Sequence, residues 1–433
     1  VIPATISDCF LLALETQMRR TGQGRHLAAS VLVLDAPPDR ATMIAAATAL
    51  GRRHPLLHAH IRRHFPTLLA HWHPGPCAAV PVIWHEATDD IDALTSRLLE
   101  SSGIDIFRPG PNLEIHLAPA ASGNACHLIL LWPHALFDAV GIDLLIDELA
   151  TAPGEAPARS QPSTGDSAAA LPASAAWPAA KPILEEMRGF PAHPVRSLRQ
   201  SSGPAGAARF KVIRFDPAAT ARIRDRMAAT AGELLLLPYF ATLAARAAHA
   251  VIRRRQPSPD PAILLSIPVQ RFPDPSRRPL FHNHMTPWSL LLEGGELADP
   301  SGGSKALYRK YASFMRRKLP AAMDALMALM HRCPSWLYLK PSTHYLKGEL
   351  CSLYHSHTGN FPARARVLLG KSITAAWHVP TVSSPPGIGI FFSESGGQLH
   401  TTISWRENTL DAAELGILES TLRADLDPGP PAS

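Results

Sequence analysis

None of the five cysteines forms a CxxC pair, and their number is odd. That leaves no paired-cysteine zinc site and no disulfide framework, as expected of a chain in a reducing cytoplasm. No run of about 18 apolar residues occurs. The N-terminal stretch lacks a charged region followed by an apolar one. Neither a membrane span nor a signal peptide is expected, and the expected location is cytoplasmic. The basic excess (42 Lys and Arg against 36 Asp and Glu) is scattered in short groups such as Arg52-Arg53 and Arg316-Arg317-Lys318. Without a dense basic stripe interleaved with aromatics, nucleic acid is not an expected partner. The basic group Arg316-Arg317-Lys318 reads first as a solvated helix face and second as a contact for the phosphates of CoA or of a phosphopantetheine arm.

Several catalytic signatures are also missing. No GxSxG is present. Gly165-Asp166-Ser167 resembles an esterase GDS but has no apolar strand before it. Gly370-Lys371-Ser372 ends like a phosphate-binding loop, yet Ala365 stands where the first glycine belongs. His54 and His58, and His60 and His64, are spaced as on one helix face. Pro55 interrupts the first pair and no carboxylate or cysteine completes a set, so no metal is expected.

What is present is an ordinary globular composition, 46% hydrophobic and 18% charged over 433 residues. That length exceeds what one core usually serves, so two domains are expected. The net charge of +6 favours an anionic small molecule or an acidic carrier protein as partner. In residues 1–150, Asp39 and Asp89 or Asp90 are positioned to cap helices. Leu113, Ile115 and Leu117 alternate as in a half-buried strand. Residues 126–132 (CHLILLW) read as a central strand buried on both faces, and residues 141–150 as an amphipathic helix. Residues 151–205 lose all periodicity and are dominated by Pro, Ala, Ser and Gly, which reads as a linker or a long surface excursion. Residues 206–433 resume a mixed α/β pattern: strands near 210–215, 262–268 and 285–292, a helix opened by Asp216-Pro217, and helical residues 305–330 broken at Pro320. A hairpin follows over 388–405, turning at Gly396-Gly397, and a last helix starts at Thr409. The fold class is α/β in two halves.

Chemistry concentrates at residues 132–141 (WPHALFDAVG). His134 stands at the exit of a buried strand, and Asp138 four residues later at the mouth of a helix. An imidazole there is held by a rigid sheet and open to a cleft, and near its ordinary pKa it can accept a proton. The plain readings are a structural histidine bonded to backbone, and an aspartate that only caps the following helix.

This stretch resembles the HHxxxDG motif of the superfamily holding chloramphenicol acetyltransferases, nonribosomal peptide condensation domains, polyketide-associated acyltransferases and wax ester synthases. His134 matches the second, catalytic histidine and Asp138 the aspartate. Pro133 replaces the first histidine and Ala139 the glycine. Further similarity runs along both halves: residues 50–57 (LGRRHPLL), 107–117 (FRPGPNLEIHL), 266–271 (SIPVQR), 282–284 (HNH) and the hairpin 387–405. The resemblance implies two chloramphenicol-acetyltransferase-like subdomains in a V-shaped pseudo-dimer with a tunnel between them. It implies a stand-alone acyltransferase of natural-product or lipid biosynthesis. His134 would be the general base, moving an acyl group from a CoA or carrier-protein thioester to a small-molecule alcohol or amine. The thioester is a substrate, and no cofactor is implied. Arg271 is the implied partner of Asp138. Ser356 and Thr358, in residues 356–361 (SHTGNF), and Asn283 are implied at the oxyanion or tunnel wall, although SHTGNF also reads as a plain turn and Arg271 as a surface residue. No carrier or adenylation segment is recognisable, so any carrier is expected from elsewhere. The alternatives are an inactive relative that binds carrier proteins or synthase subunits, prompted by Pro133 and Ala139, and cyclisation, epimerisation or dehydration on the same scaffold.

Overall fold

The computed structural model describes residues 1–65, 67–151, 171–199, 204–232, 236–271 and 278–427. Two six-stranded sheets organise it. The first runs, edge to edge, Val367–Leu368, Lys371–Pro380, Leu27–Leu34, Cys126–Pro133, Glu114–Pro119 and Val82–Trp84. The second runs Met285–Leu292, Ile263–Gln270, Leu353–Asn360, Ile388–Ser395, Gln398–Arg406 and Ala208–Arg214. Both are mixed: Leu353–Asn360 is parallel to its two neighbours, and Val82–Trp84 is parallel to Glu114–Pro119. A small sheet, Ile2–Pro3 with Leu69–His73 and His60–His64, lies apart.

Cys126–Pro133 is apolar almost throughout because it is central, with every residue from Leu128 to Pro133 buried. The helices start where their caps stand: Asp39 accepts from the Thr42 amide, Asp90 from Ala93, Asp216 from Ala219. Gly396 and Gly397 turn the final hairpin with φ of 57° and 78°, the left-handed backbone that such a two-residue turn requires. Among the described residues, no single helix is long and apolar enough to cross a membrane.

The structure corrects several expectations. The segment 151–205 is not all linker: Ala173–Gly189 is a helix packed on Leu319–Met330. Pro178 and Pro182 lie inside it and masked its period. The Gly165-Asp166-Ser167 stretch lies outside the described residues. The helical region 305–330 breaks at Arg317-Lys318, with Lys318 left-handed at φ 55°, and Pro320 falls in the first turn of the second helix. His60 and His64 sit on a strand rather than a helix. Residues 356–360 are strand, not turn. Gly370 turns a hairpin between Val367–Leu368 and Lys371–Pro380. Those two strands belong to the first sheet although they lie late in the chain: Lys371–Pro380 pairs along Leu27–Leu34.

Candidate active site between the two sheets

The strand Cys126–Pro133 delivers His134 to a cavity of ≈280 Å³ whose walls come from both six-stranded sheets. His26, Ala28 and Trp132 line it from the first half, and Ser266, Ser356 and Phe392 from the second. The His134 ring is half-buried on this cavity, and its Nδ1 is buried with no hydrogen-bond partner. Burial holds its pKa below the ordinary 6.5, although nearby backbone and the Asp138 carboxylate pull the other way. The imidazole is therefore neutral at physiological pH and able to take a proton.

The loop that carries it is tied down from two directions. On one side the His134 amide donates to the His26 carbonyl at 2.9 Å. Asn283, fully buried, donates from Nδ2 to the carbonyls of His134 and Ala135 at 3.1 and 3.0 Å. Asn283 is held in turn by Asp8, which accepts from its amide at 2.8 Å and its Nδ2 at 3.2 Å. Asp8 also accepts from Thr5, from the Trp72 indole and from His282 Nδ1 at 2.7 Å. Burial pushes the Asp8 carboxyl up, but His282 and these donors bring it below the usual range.

On the other side stands Asp138. It caps the helix Ala139–Ala150 by accepting from the Val140 and Gly141 amides, both at 3.1 Å. Its second oxygen accepts from the His284 amide and from the Arg278 guanidinium. Both members of that ion pair are buried, at 4% exposure each. Arg278 outweighs the burial and holds the Asp138 carboxyl below its usual range. Asp138 thus both caps the helix and pairs with an arginine.

This corrects the arginine. Arg271 pairs instead with Asp324 at 2.6 Å and donates to Thr286 at 3.1 Å. It leaves the end of Ile263–Gln270, while Arg278 approaches on the segment leading to His282. Asn283 is also relocated: it anchors the His134 loop from behind and does not line the cavity. Ser356 and Thr358 do line it. The Thr358 hydroxyl is already donated to the Phe392 carbonyl at 3.3 Å.

The departures at Pro133 and Ala139 are accommodated. Pro133 closes the strand in register with Leu27. Ala139, half-buried, is the first residue of a capped helix. The close approach falls at Gly141 instead. A Cβ there would sit 2.7 Å from both the Leu280 carbonyl and the Phe137 Cβ.

Four further histidines line the cavity: His26, His355, His357 and His378. Burial depresses all of them, His355 and His378 to about 3 and His357 to about 4, with His26 well below its ordinary value. They are neutral polar wall, with rings packed on aromatics: His357 on Phe240 at 4.7 Å, His378 on Phe361 at 3.7 Å. Asp8, Arg278 and this histidine wall escaped the sequence reading. Asp8 had only a helix-start signature, and the histidines are dispersed over the chain. Among the described residues no group of three or more His, Cys, Asp or Glu could hold a metal ion.

No protein-family model matches this sequence, and no curated protein matches it. Solved structures do match in shape. The first condensation domain of the calcium-dependent antibiotic synthetase, in complex with a substrate analogue, aligns with a TM-score of 0.68 at 15% identity, covering 99% of this chain and 96% of that one. Trichothecene 15-O-acetyltransferase from Fusarium sporotrichioides aligns with a TM-score of 0.70 at 11% identity, covering 98% and 94%. The starter condensation domain of rhizomide synthetase, as a mutant in complex with C8-CoA and Leu-SNAC, aligns with a TM-score of 0.65 at 13% identity, covering 98% and 94%. The chain therefore has the condensation-domain fold, two chloramphenicol-acetyltransferase-like subdomains, over nearly its whole length.

Proposed function

We propose that this protein is an acyltransferase of the condensation type, with His134 as general base. The observation that carries the reading is the neutral His134 imidazole on an open cavity between the two sheets, its loop fixed by Asp8 through Asn283 and by Arg278 through Asp138. That fixity is what a proton acceptor needs. The donor is an acyl thioester of CoA or of a phosphopantetheinyl carrier protein, and the acceptor a small alcohol or amine. As the acceptor oxygen or nitrogen attacks the thioester carbonyl, its proton passes to the accessible His134 nitrogen, Nε2. The tetrahedral intermediate then collapses, the carbon–sulfur bond breaks, and the thiol leaves with the proton His134 took. No acyl-enzyme forms.

Ser356 is the donor best suited to the oxyanion. Its half-buried side chain lines the cavity, whereas the Thr358 hydroxyl is committed to Phe392. Asp138 and Arg278 are positioning residues that act through the loop. The rhizomide synthetase domain is seen in complex with C8-CoA and Leu-SNAC, and the Fusarium protein is a 15-O-acetyltransferase, which supports this class of chemistry. The open cavity at His134 weighs against a purely carrier-binding role.

The test is thiol release from a panel of acyl-CoA and acyl-pantetheine donors with alcohol and amine acceptors, comparing wild type with His134→Ala. A loss of about 10²–10⁴-fold is expected, and equal turnover by both proteins refutes the base. The acid limb of kcat/KM should fall below pH 6.5, because burial lowers the His134 pKa.

A further inference from the structure

A second cavity adjoins the first. Phe10, Ser266, Pro287 and Tyr354 line both. The strand Met285–Leu292 leads from one to the other along a single face: Met285 lines the site cavity, Pro287 both, and Ser289 the second chamber. Those alternate positions span roughly 13 Å of extended chain. The chamber, ≈80 Å³, is closed by the helices Ala173–Gly189 and Leu319–Met330.

Among the described residues its lining contains no charged side chain. Four of the chain's nine methionines are here: Met187, Met323, Met327 and Met330. Methionine is unbranched and flexible, so such a wall can part around an alkyl chain at low cost. The Tyr338 hydroxyl has no hydrogen-bond partner, and burial keeps it protonated. Burial likewise keeps the Cys351 thiol protonated and unreactive. The chamber is thus neutral, largely apolar and flexible, and it shares four lining residues with the cavity at His134.

Resting on the acyltransferase reading, we propose that the chamber receives the alkyl chain of the donor's acyl group, and that the substrate is a medium-chain acyl thioester rather than an acetyl one. The thioester carbonyl stays beside His134 and the chain runs along the Met285–Pro287–Ser289 face. Ser289 and Met323, both half-buried, set the depth of the chamber.

The experiment uses straight-chain acyl-CoAs from acetyl to dodecanoyl on the intact protein, read both as equilibrium binding and as thiol release. Each added methylene should tighten binding about fourfold until the chamber is full. Ser289→Phe, which fills the chamber, should weaken octanoyl-CoA at least tenfold more than acetyl-CoA. Met323→Ala, which deepens it, should move the optimum to a longer chain. Length-independent binding, or the same chain-length profile in both variants, overturns the proposal. So does length dependence that follows an alkylamine acceptor series instead of the donor. Length-dependent binding without thiol release would sink the acyltransferase reading and keep the chamber. Thiol release without length dependence would do the reverse.

Discussion

The two walls of the site cavity are built differently. The wall carrying His134 is a network of buried charge. Asp8 gathers Thr5, Trp72, His282 and Asn283, and Asp138 gathers a helix N-terminus, His284 and Arg278. Both hubs bridge residues from the two halves of the chain. The wall facing it, on Leu353–Asn360, carries no Asp, Glu, Lys or Arg: its ties are the neutral hydrogen bonds of Tyr354, His355 and Thr358 and the packing of His357 against Phe240 and His355 against Phe392. The register of that strand shifts between His357 and Asn360. Directional charged bonds fix one atom in place; apolar contacts define a shape and tolerate adjustment. The difference assigns positional precision to the base and contour to the opposing surface.

Four changes sharpen or break that contrast. The largest effect belongs to Arg278→Ala, which leaves Asp138 buried without its counter-charge. A loss of about 3–5 kcal/mol in unfolding free energy is expected by denaturant titration; a loss under 1 kcal/mol would mean that the first wall is not held by charge. Next is Ser356→Ala on the second wall. Thermal stability should stay near wild type while kcat drops about 10²-fold, as for removal of one oxyanion donor. An unchanged kcat would return the whole strand to a shaping role.

Third is acid. His355 and His378 titrate near 3, and His357 and His400 near 4, when folded. Unfolded, they take protons as pH falls through about 6.5. Between those values the unfolded chain binds more protons, so stability falls on acidification, by up to about 2 kcal/mol per histidine at pH 5. Urea midpoints at pH 7, 6 and 5 measure the slope, and His355→Gln should flatten it. A flat wild-type profile would mean that these rings are not buried. The smallest effect is Thr358→Val, whose hydroxyl makes one bond of 3.3 Å to a carbonyl. Under about 1 kcal/mol in stability and a kcat within a few-fold are expected; a 10²-fold loss of kcat would exchange its role with that of Ser356.

The sequence was legible where local physics decides. The buried strand Cys126–Pro133 announced itself by unbroken hydrophobicity, and the helix starts by Asp39, Asp90 and Asp216. The place of His134 at a strand exit was legible because strand exit and helix cap sit four residues apart. What stayed hidden was long-range. Arg271 and Arg278 are seven residues apart on one stretch of chain, and nothing local says which of them turns towards Asp138. Asp8 acquires its role only when His282 and Asn283 arrive from the far half. Ala173–Gly189 was obscured by its own prolines, and SHTGNF by a composition that favours turns over the strand its neighbours impose.

Lys371–Pro380 has a bearing on how this chain can be divided. It covers the flank of Leu27–Leu34 that Cys126–Pro133 does not. A fragment ending at residue 150 would keep the apolar interior of its sheet but expose a long, flat row of unsatisfied amides and carbonyls beside it. Such a row is a template for pairing with another copy. The halves resemble two pages bound by one stitched thread, and cutting the thread would yield sticky pieces instead of two working ones.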